Sequence, residues 1–165
     1  MKQSFFVLLA TLCSGFVFSQ QTAFYSDPFT KFKEAKDYFQ KEQYGLAYPL
    51  LKELKQSVRE TDKANNPVTV QEIDYYTIAC ALKQGEETAE EQAVDYIDLE
   101  KNTARVQMMN FQLAEYYFKR QEFHDAIEHY EQANIANLSN KDIAEMKFHQ
   151  GYSYFTLQQF AKAKP

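Results

Sequence analysis

"AEYYFKRQEFHDA", residues 114–126, decides how the rest of the chain is read. A small residue, Ala114, is followed three places on by Tyr117 and at once by Phe118; nine places after the alanine comes Phe123, and twelve after it Ala126. Two distant stretches carry the same columns. "AKDYFQKEQYGLA" (35–47) supplies Ala35, Tyr38, Phe39, Tyr44 and Ala47, and "GYSYFTLQQFAKA" (151–163) supplies Gly151, Tyr154, Phe155, Phe160 and Ala163. Two antiparallel helices approach closely where a small residue faces the partner's backbone, and rings fill the space around such a contact. The columns therefore predict a recurring helical hairpin, with a small residue in each helix and aromatics packed about it.

Composition agrees. The 165 residues hold 12 Tyr and 14 Phe but no Trp, and only 4 Gly and 4 Pro. So few turn-formers leave little room for β-hairpins, whereas Ala, Glu, Lys, Gln and Leu favour helix. An all-α fold is expected. The net charge of −5 and the lack of a basic run argue against nucleic acid, which demands a positive footprint.

Along the chain, helical patterning begins behind Asp27 and Pro28 and runs to about Arg59. "ETDKANNPV" breaks it. Patterning resumes over Val70–Lys83, pauses at "QGEET", and returns over Ala89–Leu99, Thr103–Lys119 and Phe123–Ala136. After the polar "NLSNKD" a last pair starts near Ile143. Short helices with short polar breaks suit stacked hairpins better than a bundle of long helices.

These columns closely resemble the tetratricopeptide repeat (TPR), a helix-turn-helix unit of about 34 residues. The resemblance covers nearly all of the chain after its leader, in units at about 29–62, 67–100, 104–138 and 142–165. The second unit departs from the pattern. It has Ala79 as first small residue, Leu82 in the tyrosine column and Ala93 as second small residue, with two extra residues in the turn and no second aromatic. What the family implies is an α-solenoid whose first helices line a concave groove, binding an extended or helical peptide without chemistry. Carried over by column, the groove positions are Phe32, Tyr76, Phe111 and Phe148, then Lys36, Cys80, Glu115 and Tyr152, then Phe39, Lys83, Phe118 and Phe155, followed by Gln40, Gln84, Lys119 and Thr156. The phenylalanines there either pack between neighbouring units, the reading their shared face favours, or form a sticky strip for a partner.

No catalytic constellation stands out. His124 and His129 lie five apart, which on a helix turns them to different faces. His149 is expected between packed helices, and nothing basic flanks Cys80 closely enough to activate its thiol. The acidic run from Glu86 to Glu100 lacks calcium-loop spacing and reads as a solvated helix start. No Cys/His cluster has zinc spacing, and no phosphate loop or nucleophile elbow is present. A non-enzyme without cofactor or metal is expected, its partner a protein or peptide.

Residues 1–19, "MKQSFFVLLATLCSGFVFS", read as a secretory signal peptide: Lys2, an apolar stretch from Phe5 to Phe18, and Val17 and Ser19 before the cut. Cleavage removes Cys13 and leaves Cys80 as the sole thiol, with residues 20–28 as a linker. Export to a Gram-negative periplasm or cell surface follows, without membrane insertion after cleavage; the irregular periods are similar to those of exported TPR proteins of Bacteroidetes-type bacteria. "QQFAKAKP" (158–165) repeats the frame of "EQYGLAYP" (42–49), so the chain is expected to stop about one turn into a helix. On that reading it is the front of a longer solenoid with an incomplete last hairpin. The alternative function is then an N-terminal segment of a larger envelope assembly, sensing or motility protein.

Overall fold

The computed structural model describes residues 27–60 and 70–164. The expected signal peptide, nearly all of the expected linker, most of the "ETDKANNPV" break and Pro165 lie outside the described residues. Within them the regular elements are helical: α1 (Pro28–Gln40), α2 (Tyr44–Glu60), α3 (Val70–Gln84), α4 (Ala89–Leu99), α5 (Thr103–Lys119), α6 (Phe123–Gln132) and α7 (Asn140–Thr156), with a 3-10 turn at Ile135–Asn137. Each α-helix packs on the next in chain order, and α1, α3, α5 and α7 also touch in succession.

Local chemistry sets the helix starts. The Asp27 side chain accepts from Thr30 N ahead of Pro28, whose missing donor costs nothing at that position. Asn102 caps α5 through Arg105 N. Ser139 and Asp142 form a reciprocal capping box, so α7 opens at Asn140 rather than near Ile143. At the other end α6 stops at Gln132, short of Ala136, because Ala133 is already extended and the chain tightens into the 3-10 turn.

The three matched sequence stretches become three turns of one kind. Glu42, Gln121 and Gln158, each seven places after its small residue, sit in the left-handed region at φ 59°, 64° and 59°. The next N–H in each case closes back on the tyrosine carbonyl: Gln43 to Tyr38 at 2.9 Å, Glu122 to Tyr117 at 3.0 Å, and Gln159 to Tyr154 at 2.8 Å. These are Schellman closures, which occupy carbonyls that the ending helix leaves open. Across each turn the two aromatic columns meet edge-on: Phe39 with Tyr44 at 5.4 Å, Phe118 with Phe123 at 5.9 Å, and Phe155 with Phe160 at 5.5 Å. The pattern near residue 59 is thus two helices, parted at Lys41–Gln43 by the first such turn.

The second unit departs as its sequence does. Gly85 takes the left-handed position (φ 72°) one place early relative to Ala79, and Glu86 N closes on the carbonyl of Ala81, not of Leu82. Lys83 stands where the other turns place a phenylalanine, so this turn has no ring pair, and the link to α4 is longer.

Ala35, Ala47, Ala79, Ala93, Ala114 and Ala126 are completely buried, as close helix contacts demand. Around them lie two linked cores. One joins Phe32, Leu51, Leu54, Val58, Ile73 and Cys80 across α1–α3; the other gathers Tyr75, Leu82, Tyr96, Phe111, Tyr117, Tyr130 and Met146 from α3 onward. In the last unit a Cβ added to Gly151 would come within 3.4 Å of the Ala163 carbonyl, and Tyr154 is buried. Phe160 meets Phe155 edge-on and is 55% exposed, with residues 157–164 forming turns.

Pro49 lies five residues beyond the start of α2, past the first turn where a missing donor is harmless. The carbonyl it would have served is that of Gly45, an exposed residue where water can replace the missing donor. Among the described residues no helix is long and apolar enough to cross a membrane.

Candidate partner-binding face

The expected groove columns fall into two groups. At the α1–α3 junction Tyr76 is a hub: Phe32 meets it edge-on at 5.8 Å, Phe39 at 5.1 Å, and the Lys36 ammonium lies 5.2 Å from its ring centroid. Lys36 also pairs with Glu72 at 3.1 Å. Phe32 and Cys80 are buried and Phe39 and Tyr76 half-buried, while Phe29, 52% exposed, borders the same end beside Phe32 and Lys36. Burial pushes the Cys80 thiol up to about 12, which makes it inert at neutral pH.

Further on, Phe111 and Glu115 are also buried and cannot meet a partner, which corrects their placement on an open groove. The Glu115 carboxylate accepts from the Tyr130 hydroxyl at 2.6 Å, and His149 Nδ1 donates to its two oxygens at 2.9 and 3.1 Å. A buried carboxylate is tolerated only when its lone pairs are filled in this way. The His149 ring stacks on Phe118 at 3.9 Å, and Tyr152 reaches Phe118 edge-on at 5.9 Å. These contacts fasten α7 to α5. Lys83 is half-buried beside Phe111, and burial pushes its ammonium below the ordinary lysine range, opposed in part by Glu115. Lys119 is exposed. Lys141 of α7 reaches Glu42 in the first turn, linking distant parts of the chain.

The open surface is on α7. Phe148 is 68% exposed, Tyr152 49% and Phe155 61%. They border a cleft of about 700 Å³ between α7 and residues 162–164, which Lys147, Lys162 and Lys164 also line. Sequence columns marked all three rings but gave no means of telling them from Phe32 or Phe111, since their exposure depends on what stands opposite.

The histidines offer no joint chemistry. His124 is solvent-exposed near Asp125, whereas His129 donates from Nδ1 to the Asn110 amide oxygen at 2.8 Å and stacks on Tyr117. Asn110 Nδ2 is spent on the Val106 carbonyl, which fixes its oxygen as the acceptor. Among the described residues no three His, Cys, Asp or Glu side chains converge to hold a metal ion. Comparison with models of protein families, with curated proteins and with solved structures finds no match.

Proposed function

We propose that the chain is a non-enzymatic scaffold of the tetratricopeptide kind, an α-solenoid of stacked hairpins that binds a segment of another protein in the bacterial envelope. The observation that carries this reading is one aromatic-clamped turn repeated three times, with α1, α3, α5 and α7 touching in succession. Stacked helical hairpins of this kind offer extended surfaces to a partner. The apolar leader of residues 1–19 supports export.

A photo-crosslinking residue in place of Tyr152 tests the scaffold in the producing cell. One or a few defined protein adducts are expected, and a matched probe at exposed Gln92 on α4 should give none of them. Adducts identical at both positions, or none at either, would remove the reading. N-terminal sequencing of the chain recovered from the envelope fraction should begin at Gln20.

A further inference from the structure

We infer that Glu42 and Lys141 form a clasp that ties the first turn of the chain to the start of α7, and that salt releases it. The clasp rests on the stacked-hairpin part of the scaffold reading and goes beyond it, because it sets the curvature of the surface offered to a partner.

In a stack of hairpins each unit touches its neighbours alone. Glu42 and Lys141 are 99 residues apart, on the first turn and the seventh helix, and nevertheless pair directly. The meeting is wider than two side chains. Lys83 at the end of α3 and Lys119 at the end of α5 also act on the Glu42 carboxylate. Asp142 and Glu145 of α7 act in turn on Tyr44, at the start of α2, and on Lys83. The ends of α1, α3 and α5 thus converge on the first two turns of α7.

Charge makes this contact reversible. Glu42 follows the C-cap of α1, at the negative end of that helix, and Lys141 is the second residue of α7, at its positive end. Each has the wrong sign for its own helix and the right sign for the other's. The matched turns carry Gln121 and Gln158 in the place of Glu42, so the turn itself makes no demand for a carboxylate. When the ends part, Lys141 keeps a second partner in Glu145, 3.9 Å away on the next turn of its own helix. Both members of the clasp are more than half exposed, within reach of screening ions. Closed, it holds the first hairpin against α7; open, it leaves the stack to the neighbour contacts alone and lets its ends separate.

Spin labels on genetically encoded reactive residues at Gln40 and Ala144, both exposed and outside the charge network, report that separation in the full chain by double electron–electron resonance. At low salt a short-distance population should dominate. Raising NaCl to about 1 M, where screening acts beyond about 3 Å, should lower the ratio of short to long distances about two- to fivefold, the range an exposed ion pair supplies. Glu42→Gln should give the same loss at low salt and respond little to added salt. Its circular dichroism spectrum should match wild type, since two of the turns already use Gln there. Glu53→Gln, which removes the Lys31–Glu53 pair between the adjoining α1 and α2, should leave the distances in place. Distances that neither salt nor Glu42→Gln moves, or that Glu53→Gln moves as far, overturn the clasp. Defined adducts at Tyr152 alongside unmoved distances leave the scaffold reading standing and strike the clasp alone; moved distances without adducts do the reverse.

Discussion

His149 lies flat on Phe118, ring centroids 3.9 Å apart and planes 16° from parallel, while its Nδ1 donates to Glu115, 34 residues earlier in the chain. Tyr152 meets the same phenylalanine from the side, so α7 is set against α5 at two successive turns of one face. Stacking alone tolerates sliding, whereas a hydrogen bond to a buried carboxylate fixes register.

Glu115 is therefore expected to carry more stability than its charge suggests. In Glu115→Ala the buried Tyr130 hydroxyl loses its acceptor, and an unsatisfied buried group costs about 1–3 kcal/mol. Glu115→Gln keeps an acceptor oxygen and should lose less. Urea unfolding of the two variants checks the order; an Ala midpoint equal to wild type would remove the network from the account of α5–α7 packing.

The recurring left-handed residue gives a prediction of opposite sign. Gln121 sits at φ 64° and is exposed, so its side chain contributes little there while its Cβ crowds the backbone. Gln121→Gly should stabilise the chain by about 0.5–1 kcal/mol, read as a higher melting temperature. Gln121→Val should lower it, because a β-branched residue is least at ease in that region. Glu42 is a poorer place for the test, since it also holds Lys141.

Much of this was legible beforehand. The bounds of α4 and α5 coincide with the sequence pattern, since acidic or polar residues precede them and a change of period ends them. Of the small columns, Ala35, Ala47, Ala114 and Ala126 are fully buried, whereas Gly151 and Ala163 of the last stretch are half-buried. Less legible was which ring meets water. Phe111 and Phe148 share a column, yet one is 1% and the other 68% exposed, because Phe111 has neighbouring helices packed around it and Phe148 has an open cleft. Column spacing records what a helix offers, and burial depends on the neighbour that accepts it. The turn-clamping role of the aromatic columns was hidden for a related reason, as it requires the left-handed residue between the two rings.

His129 makes stability depend on pH near neutrality. Burial holds its imidazolium below the ordinary histidine value, opposed in part by Glu128, Asp125 and Glu90. The folded chain thus binds fewer protons at this site than the unfolded chain does. Its contribution is complete above about pH 6.5 and is lost progressively as pH falls from there toward the lower folded value. Chemical unfolding of wild type and His129→Gln from pH 8 to pH 5 should show the gap between them changing in the variant's favour as the solution is acidified. A constant gap would mean that the Asn110 hydrogen bond and the Tyr117 stack hold the protonated ring as well as the neutral one.

Ala126 tests the close contact on which the hairpin reading depends. It is fully buried at the first turn of α6, where it faces the helix carrying Ala114. A leucine there adds three carbons to a site with no room, and overpacking of that sort costs about 1–3 kcal/mol. Ala126→Leu should lower the melting temperature and loosen the Phe118–Phe123 pair across the adjoining turn, visible as altered ring-proton shifts. Ala136→Leu, at an exposed position in the following 3-10 turn, adds the same carbons without crowding and should leave both readouts in place. Equal behaviour of the two variants would mean that α5 and α6 are held apart by their rings, with the small residues as bystanders.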